Sequence, residues 1–329
     1  MGCDVSSKIS QFVDFILLNA CSTNYLDLNN GKLGLSLCLF EMAKRLNNDS
    51  IENIAFELLQ GVLALRQKKK NAKPMDIGFT LLYLIEYKFI DADFDDLFGE
   101  DVGRLIEGIR VFAPYSEHQL VSIPFFVLLW YLKKSDCIYQ LVVEILDEVS
   151  LSLVKIFSKI QSECFSPISY NLIHIFRSYL SIASLLPDYM ISPDLLTNYI
   201  ALYKRGRIPN DFSIGFLLEK QGEKDMFLIM QEKGLENVYP NLLTLAQRID
   251  LLYLLNQTDN RRYEEQIRFL EKDLWDWNNP FYEKKLLQSI SSNSLIAGYG
   301  SGVARLLLYW VYKENSREGE DCSRFKYLF

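Results

Sequence analysis

Histidine is the side chain that proteins use most often for proton transfer near neutral pH, and this sequence contains only two, His118 and His174. His174 lies in an apolar segment, Tyr170 to Phe176, and could act there as a general base. A hydrogen-bonded structural histidine is the competing interpretation, and we favour it. His118 lies between Tyr115 and Gln119, in a predicted loop.

A pair of carboxylates offers a second kind of chemistry. Asp76 and Asp211 each precede an apolar segment, and two facing carboxyl groups can serve as acid and base in the hydrolysis of a glycosidic bond. Trp275 and Trp277 could form an aromatic platform for a sugar, although a packed helix end explains them as well. Helix capping explains both aspartates, because a carboxylate at a helix start accepts hydrogen bonds from free N–H groups. The candidate catalytic residues are therefore Asp76, Asp211 and His174.

The cysteines carry little chemical signal. All six are widely spaced, and none forms a Cys-x-x-Cys pair. This pattern predicts neither a disulfide framework nor a zinc site, so no metal or other cofactor is expected. Widely spaced cysteines without a disulfide pattern are typical of proteins in a reducing compartment. Because no secretory signal is visible either, we predict a cytoplasmic protein.

Charge and hydropathy exclude two classes of partner. The net charge is −7 and the isoelectric point is about 5.1, whereas nucleic-acid binding needs a concentrated basic surface. The longest apolar stretch, Leu120 to Leu132, contains Ser122 and Pro124 and is too short to span a bilayer. We therefore predict neither nucleic-acid binding nor membrane insertion.

The elements that would position these residues form a repeat. Small or polar residues, often glycine, precede an apolar helical run at roughly 45-residue intervals, with one interval about twice as long. A fixed period of this size is the signature of a repeat architecture. The runs begin near Gly31, Gly78, Ser122, Asn171, Ser213 and Gly300.

Each repeat pairs a more apolar helix with a more amphipathic one. The apolar helix must be covered on all sides, whereas the amphipathic helix needs cover on one side only. Two concentric rings of helices satisfy both requirements, which favours an α/α toroid over an open solenoid. The predicted fold is therefore all-α, a toroid of six or seven helical hairpins formed by residues 1–329 as a single domain. Ser50 is predicted to cap the second helix of the first repeat. Residues 74–78 are predicted to interrupt the helical pattern, with the next helix running from Phe79 to Tyr87.

Three segments carry a resemblance to a known family. Asn30 to Ala43, Asp76 to Asp93 and Gly298 to Leu308 resemble repeats of the lanthionine synthetase C-like family. That resemblance implies an α/α toroid with a central cavity. It also implies, for active members, a zinc ion bound by one cysteine in a late repeat and a Cys-His pair in the next, which activates a peptide thiol.

The sequence departs from this family where the zinc ligands would lie. The fifth repeat has Asn210 to Gly215 without a cysteine, and the next has Tyr239 to Thr244 without cysteine or histidine. Zinc binding is expected only if Cys164, His174 or Cys322 supplies ligands that the motifs do not show.

The leading functional prediction is therefore a zinc-free pseudoenzyme of this family. It would bind a peptide or act as an accessory protein in peptide modification or export. The alternatives are a metal-independent glycosidase of the α/α-toroid type, using the paired carboxylates Asp76 and Asp211, and a purely structural interaction protein.

Overall fold

The structure is a computed structural model. It describes residues 5–65, 73–111, 125–130, 133–162, 170–186, 188–219, 224–236, 238–258, 262–272, 274–276, 279–290, 292 and 295–329. All regular secondary structure in these ranges is helical, which confirms the predicted all-α class.

The α-helices are numbered here in chain order. The α-helices are α1 (Val5–Ser22), α2 (Lys32–Leu46), α3 (Asp49–Leu65), α4 (Pro74–Glu86), α5 (Phe94–Val111), α6 (Asp136–Ser162), α7 (Tyr170–Ala183), α8 (Pro193–Lys204), α9 (Phe212–Glu219), α10 (Lys224–Glu236), α11 (Leu245–Asn256), α12 (Glu264–Lys272), α13 (Tyr282–Ser289) and α14 (Val303–Glu318). Residues 125–130 are also helical, and 3₁₀ turns cover Pro240–Leu242 and Ser323–Tyr327.

The chain divides into two compact units. Unit 1 comprises Met1–Val102 and Tyr239–Phe329, and it contains α1 to α4 and α11 to α14. Unit 2 comprises Gly103–Val238 and contains α6 to α10. Unit 1 thus joins the first and last thirds of the chain.

Unit 1 is built on helices that are apolar on nearly every side. Every residue of α2 from Leu33 to Ala43 is buried, as is every residue of α4 from Ile77 to Leu84. Such helices need neighbours all round. Helix α2 packs against α1, α3, α4 and α14, and α14 also packs against α1 and α11. The last long helix of the chain therefore lies beside the second.

The partner helices bury a single stripe, as predicted. Helix α3 buries Ile51, Ala55, Leu59 and Val62, which recur every three or four residues and so lie on one face. The remaining face of α3 carries exposed residues such as Phe56. The alternation of apolar and amphipathic helices read from the sequence is confirmed for this pair.

Hydrogen bonds and close contacts at glycines join the segment before α2 to the segment before α14. The amide of Gly300 donates to the carbonyl of Asn29 (2.9 Å), and the amide of Leu295 donates to Oδ1 of Asn30 (2.9 Å). A Cβ on Gly34 would lie 1.9 Å from the Leu28 carbonyl oxygen, so only glycine permits this approach. The glycine-rich segments that define the repeat thus serve close backbone packing.

Unit 2 has its own apolar core. Helix α9 packs against α7 and α10, and α6 packs against α7 and α8. The rings of Phe157, Phe176 and Tyr199 form a cluster at its centre, with centroids 4.7–6.0 Å apart. These aromatic contacts bring α6, α7 and α8 together.

Two predicted helix starts are corrected by the structure. Helix α3 begins at Asp49, two residues earlier than predicted, and Oδ1 of Asn48 accepts the amides of Ser50 and Ile51, so Asn48 is the cap. Helix α4 begins at Pro74, whose fixed φ suits a first helical turn, so the predicted break at residues 74–78 is the first turn of the helix.

Two further helices, α10 and α13, were not predicted from the sequence. Helix α10 buries only Phe227, Met230, Gln231 and Gly234, and α13 buries only Tyr282 and Leu286. So few apolar positions give too weak a periodicity to recognise. Within the described ranges, none of the helices combines the length and the apolar character needed to cross a membrane.

Candidate functional site

The most distinctive feature of unit 1 is a short segment that folds back onto its apolar helices. Residues 323–329, which we call the return segment, follow α14 and form a 3₁₀ turn. Phe325 is fully buried, and Arg324, Tyr327 and Leu328 are 3–9% exposed. The return segment is therefore held inside unit 1 although it belongs to none of its long helices.

A buried ion pair anchors the return segment to α2. Arg324 donates from Nε to Oε1 of Glu41 (2.8 Å) and from Nη2 to Oε2 (3.0 Å), so the pair is bidentate. The hydroxyl of Tyr83, from α4, donates to the same Oε1 (2.5 Å). Glu41 is 0% exposed, so its charge depends on these two partners.

Three neighbouring residues fix the orientation of the Arg324 guanidinium. Arg324 donates from Nη1 to the carbonyl of Asp321 (3.0 Å). In the amide orientation that satisfies both of its neighbours, Asn315 accepts from Nη2 of Arg324 (3.0 Å) and donates to Glu320 (3.2 Å). These contacts leave the guanidinium one orientation, directed at Glu41.

Aromatic rings surround the two phenylalanines of the return segment. The ring of Phe325 lies 5.6 Å from that of Tyr312 in an edge-to-face arrangement. The ring of Phe329 lies 4.9 Å from Tyr253, and 6.3 Å from both Tyr309 and Tyr312. Helices α11 and α14 thus form an aromatic cage for this segment.

A backbone carbonyl of the return segment is also held. The Leu328 oxygen accepts from the hydroxyl of Tyr299 (3.0 Å) and from Nη1 of Arg305 (3.3 Å). Arg305 is oriented by a salt bridge to Asp250, and its guanidinium carbon lies 5.2 Å from the ring centroid of Phe329. Together these donors form a clamp that recognises a peptide carbonyl and a neighbouring ring.

Burial and charge fix the protonation of the anchor. Burial raises the pKa of the Tyr83 hydroxyl well above its ordinary value, and the negative charge of Glu41 raises it further. Burial alone would lower the pKa of Arg324, but the hydrogen bonds and charge of Glu41 outweigh this effect and raise it. Tyr83 therefore remains a donor, and Arg324 remains charged.

The buried tyrosines predict a loss of stability at alkaline pH. Burial raises the pKa of Tyr299 and of Tyr312 to about 12, whereas an unfolded tyrosine titrates near about 10. Between these values the unfolded chain loses protons that the folded chain keeps, so stability falls as pH rises. We expect the free energy of unfolding to fall by at most about 1.4 kcal/mol per pH unit for each such tyrosine.

Urea unfolding at pH 9, 10 and 11, together with tyrosinate absorbance, measures this dependence. Tyr312→Phe removes one titrating group and should make the fall shallower than in the unaltered chain. A free energy of unfolding that stays constant above pH 10 would show that these hydroxyls are not protected by burial.

An open pocket of about 350 Å³ adjoins the anchor where α2 and α4 end. Its charges are mixed, because three basic side chains face three acidic ones. They are Lys44, Lys88 and Arg324, and Glu86, Glu320 and Asp321, with Tyr87 beside them. The pocket gives solvent a route to one side of Arg324.

A second polar network lies between α12 and α14. Glu271 forms a salt bridge with Lys313 and accepts from the hydroxyl of Tyr309 (2.9 Å), which also accepts from Asn256 (3.1 Å). Trp275 stacks nearly parallel on Tyr309, with centroids 6.3 Å apart. Trp275 is thus a packed ring at a helix end, and Trp277 lies outside the described residues.

The three catalytic residues predicted from the sequence are not among the residues that contact the return segment. Asp76 is in the first turn of α4 in unit 1, and its carboxylate accepts the Leu28 amide (3.1 Å). Burial raises the pKa of Asp76, and the Leu28 hydrogen bond opposes this rise. Asp211, in unit 2, accepts the Ile214 amide at the start of α9 (3.0 Å), and His174 is exposed on α7.

The structure describes only some of the cysteines that could supply metal ligands. Cys38 is buried in α2, with its thiol 3.5 Å from the Ala304 carbonyl, and Cys322 is half-buried. Cys164, like His118, lies outside the described residues. In the part of the chain that the structure describes, no group of three or more His, Cys, Asp or Glu side chains could hold a metal ion.

Sequence reasoning missed the anchor formed by Glu41, Tyr83 and Arg324. One signal was available, because Glu41 is the only acidic residue in the fully buried run from Leu33 to Ala43. A carboxylate in such a run requires a buried donor. The sequence does not say which donor, because Arg324 is 283 residues away.

Comparison of the chain with protein-family models, with curated proteins and with solved structures gives no match. The resemblance to the lanthionine synthetase C-like family rests on the sequence segments alone and stays a prediction. Any functional assignment therefore depends on the geometry of unit 1.

Proposed function

We propose that this protein is a non-catalytic, peptide-binding accessory protein of the lanthionine synthetase C-like type, acting in peptide modification or export in the cytoplasm. The observation that carries the proposal is the return segment. A seven-residue stretch of peptide is bound by the apolar helices of unit 1 through its side chains and one carbonyl. A surface with these contacts has the chemistry needed to bind a peptide from another molecule.

The proposed architecture is an α/α toroid of six or seven helical hairpins in one domain. Two observations within unit 1 support it. Apolar α2 is paired with amphipathic α3, as an inner and outer ring require. Helix α14 packs against α2, and the Gly300 and Asn29 backbones are hydrogen-bonded, so the first and last repeats are neighbours, which a closed ring also requires.

The protein is proposed to lack the zinc-dependent activity of the family because its sequence lacks the expected zinc ligands. Asn210 to Gly215 and Tyr239 to Thr244 hold no thiol or imidazole where the family resemblance implies zinc ligands. Borderline-soft zinc favours these ligands, and a catalytic zinc site ordinarily has three protein ligands. The proposed role is therefore to hold a peptide rather than to modify it.

An array of random ten-residue peptides tests this function. The purified protein should retain a subset of the peptides, whereas the same protein unfolded in urea, used as the control, should not. Elemental analysis of the untagged protein should show less than one zinc per chain. Binding no stronger than that of the unfolded control would contradict the peptide-binding role, and one zinc per chain that resists chelators would contradict its non-catalytic assignment.

A further inference from the structure

We infer that the face covered by the return segment is the peptide-binding site itself, and that the return segment is an internal competitor which the ligand displaces. The ligand class is a peptide in which an arginine is followed by an aromatic residue and, four positions later, by a second aromatic residue. This inference rests on the proposed function, because it specifies where and what the protein binds.

Three separate contacts define the ligand. The buried carboxylate of Glu41 requires a cation that can bind in a bidentate manner, which favours arginine over lysine. The cage of Tyr253, Tyr309 and Tyr312 takes aromatic rings. The clamp formed by Tyr299 and Arg305 takes a backbone carbonyl, which every peptide has. Charge and ring spacing give specificity, and the carbonyl clamp gives a sequence-independent contact.

The return segment is attached in a way that permits its release. Its described backbone donors pair locally: Phe325 donates to Cys322, and Leu328 and Phe329 donate to Phe325. Residues 316–321, which lead into it, are exposed, and Gly319 has a left-handed φ of 76°. Release would therefore leave the backbone hydrogen bonds of α2, α11 and α14 intact.

The buried ion pair is a suitable contact for an exchangeable segment. Removing the two charges from water costs nearly as much as their attraction returns, so the closed pair adds little net stability. Leaving either charge without its partner inside the protein is costly. While the face is closed, the buried carboxylate of Glu41 is therefore paired with an arginine, either that of the return segment or that of a ligand.

Competition within the chain predicts how affinity should change. When only a small fraction of molecules has an open site, the apparent dissociation constant rises in inverse proportion to that fraction. A variant whose return segment binds weakly should therefore bind the ligand more tightly. Arg324→Gln is such a variant, because its neutral amide cannot satisfy Glu41.

The experiment uses a fluorescein-labelled, carboxyl-amidated peptide with the sequence of residues 320–329, in which serine replaces cysteine. Fluorescence polarisation should show that it binds the Arg324→Gln chain about 100-fold more tightly than the unaltered chain. A matched peptide with glutamine at the arginine position should lose this gain. Equal affinity of both peptides for the Arg324→Gln chain, or no binding of either, would overturn the inference.

A second measurement needs no substitution, and so does not depend on whether the variant folds. In hydrogen exchange of the unaltered chain, the amides of Phe325, Leu328 and Phe329 should exchange at least about tenfold faster than the most protected amides of α2 and α4. Exchange at the same rate as those core amides would show that the segment opens only when unit 1 unfolds, which also overturns the inference.

The outcomes separate this inference from the proposed function. If the random-peptide array retains ligands but the 320–329 peptide binds no variant, the site is elsewhere and the peptide-binding role stands. If neither binds, both fail. If the Arg324→Gln chain forms dimers that the peptide does not dissociate, the occupant is a second copy of this chain, and the assigned ligand class is wrong.

Discussion

Replacing Arg324 with methionine is expected to lower the free energy of unfolding by about 3–5 kcal/mol, because it leaves the carboxylate of Glu41 buried without its cation. Methionine fills a similar volume, so the loss reports the missing charge rather than a cavity. Urea unfolding monitored by circular dichroism at pH 7 measures the change.

Two control variants make this result specific. Arg268→Met removes the charge from an exposed pair with Glu264, whose side chains are 72% and 59% exposed, and should cost no more than about 1 kcal/mol. Glu41→Gln combined with Arg324→Met should recover part of the loss, because neither buried charge then remains. Equal losses for Arg324→Met and Arg268→Met would contradict a buried anchor.

The size of the Arg324 effect also bears on the release of the return segment. A released segment exposes Glu41 to water, which removes the penalty for its unpaired charge. The loss in the Arg324→Met variant therefore cannot exceed the free energy needed to release the segment. Hydrogen exchange of the segment amides in the unaltered chain gives that free energy independently.

Replacing Gly34 with alanine is expected to lower the free energy of unfolding by about 3 kcal/mol or more. An added Cβ would lie 1.9 Å from the carbonyl oxygen of Leu28 and 2.5 Å from Cβ of Tyr299. One obstacle is a backbone atom and the other is the rigid base of a side chain, so the overlap is relieved only by moving α2 away from its neighbours.

Gly61→Ala is the matched control for this substitution. Gly61 also lies within a helix, α3, but outside the local helix backbone no atom lies within 4 Å of the position that an added Cβ would take. Alanine there should raise the free energy of unfolding by about 0.5–1 kcal/mol, because glycine is the poorer helix former. Urea unfolding of the two variants should therefore give changes of opposite sign, and changes of the same sign would contradict the close packing around Gly34.

The local pattern of the sequence predicted the apolar helices well. The apolar run predicted to begin near Gly31 corresponds to α2, and the run predicted to begin near Gly300 corresponds to α14. Such runs are long and continuous, so a helix buried on all sides explains them without knowledge of the neighbours. Helix starts were predicted less well, as Ser50 and Pro74 show, because several adjacent residues can cap the same helix.

The role of Asp76 shows where local reasoning stops. The sequence predicts that Asp76 caps a helix, with a catalytic role as the alternative, but the helix begins at Pro74, two residues before Asp76. The structure shows its carboxylate accepting the amide of Leu28, which is 48 residues away in sequence. Nothing in the pattern around residue 76 indicates that partner, because the contact depends on how α4 packs beside the loop before α2.

The sequence by itself determined the helical class and the contrast between apolar α2 and amphipathic α3. These follow from side-chain periodicity, which is a local property of the chain. Only the tertiary structure decided that Arg324 pairs with Glu41 and that the return segment enters the aromatic cage. Arg324 and Glu41 are 283 residues apart in sequence, and both sets of contacts form only after α2, α11 and α14 have packed together.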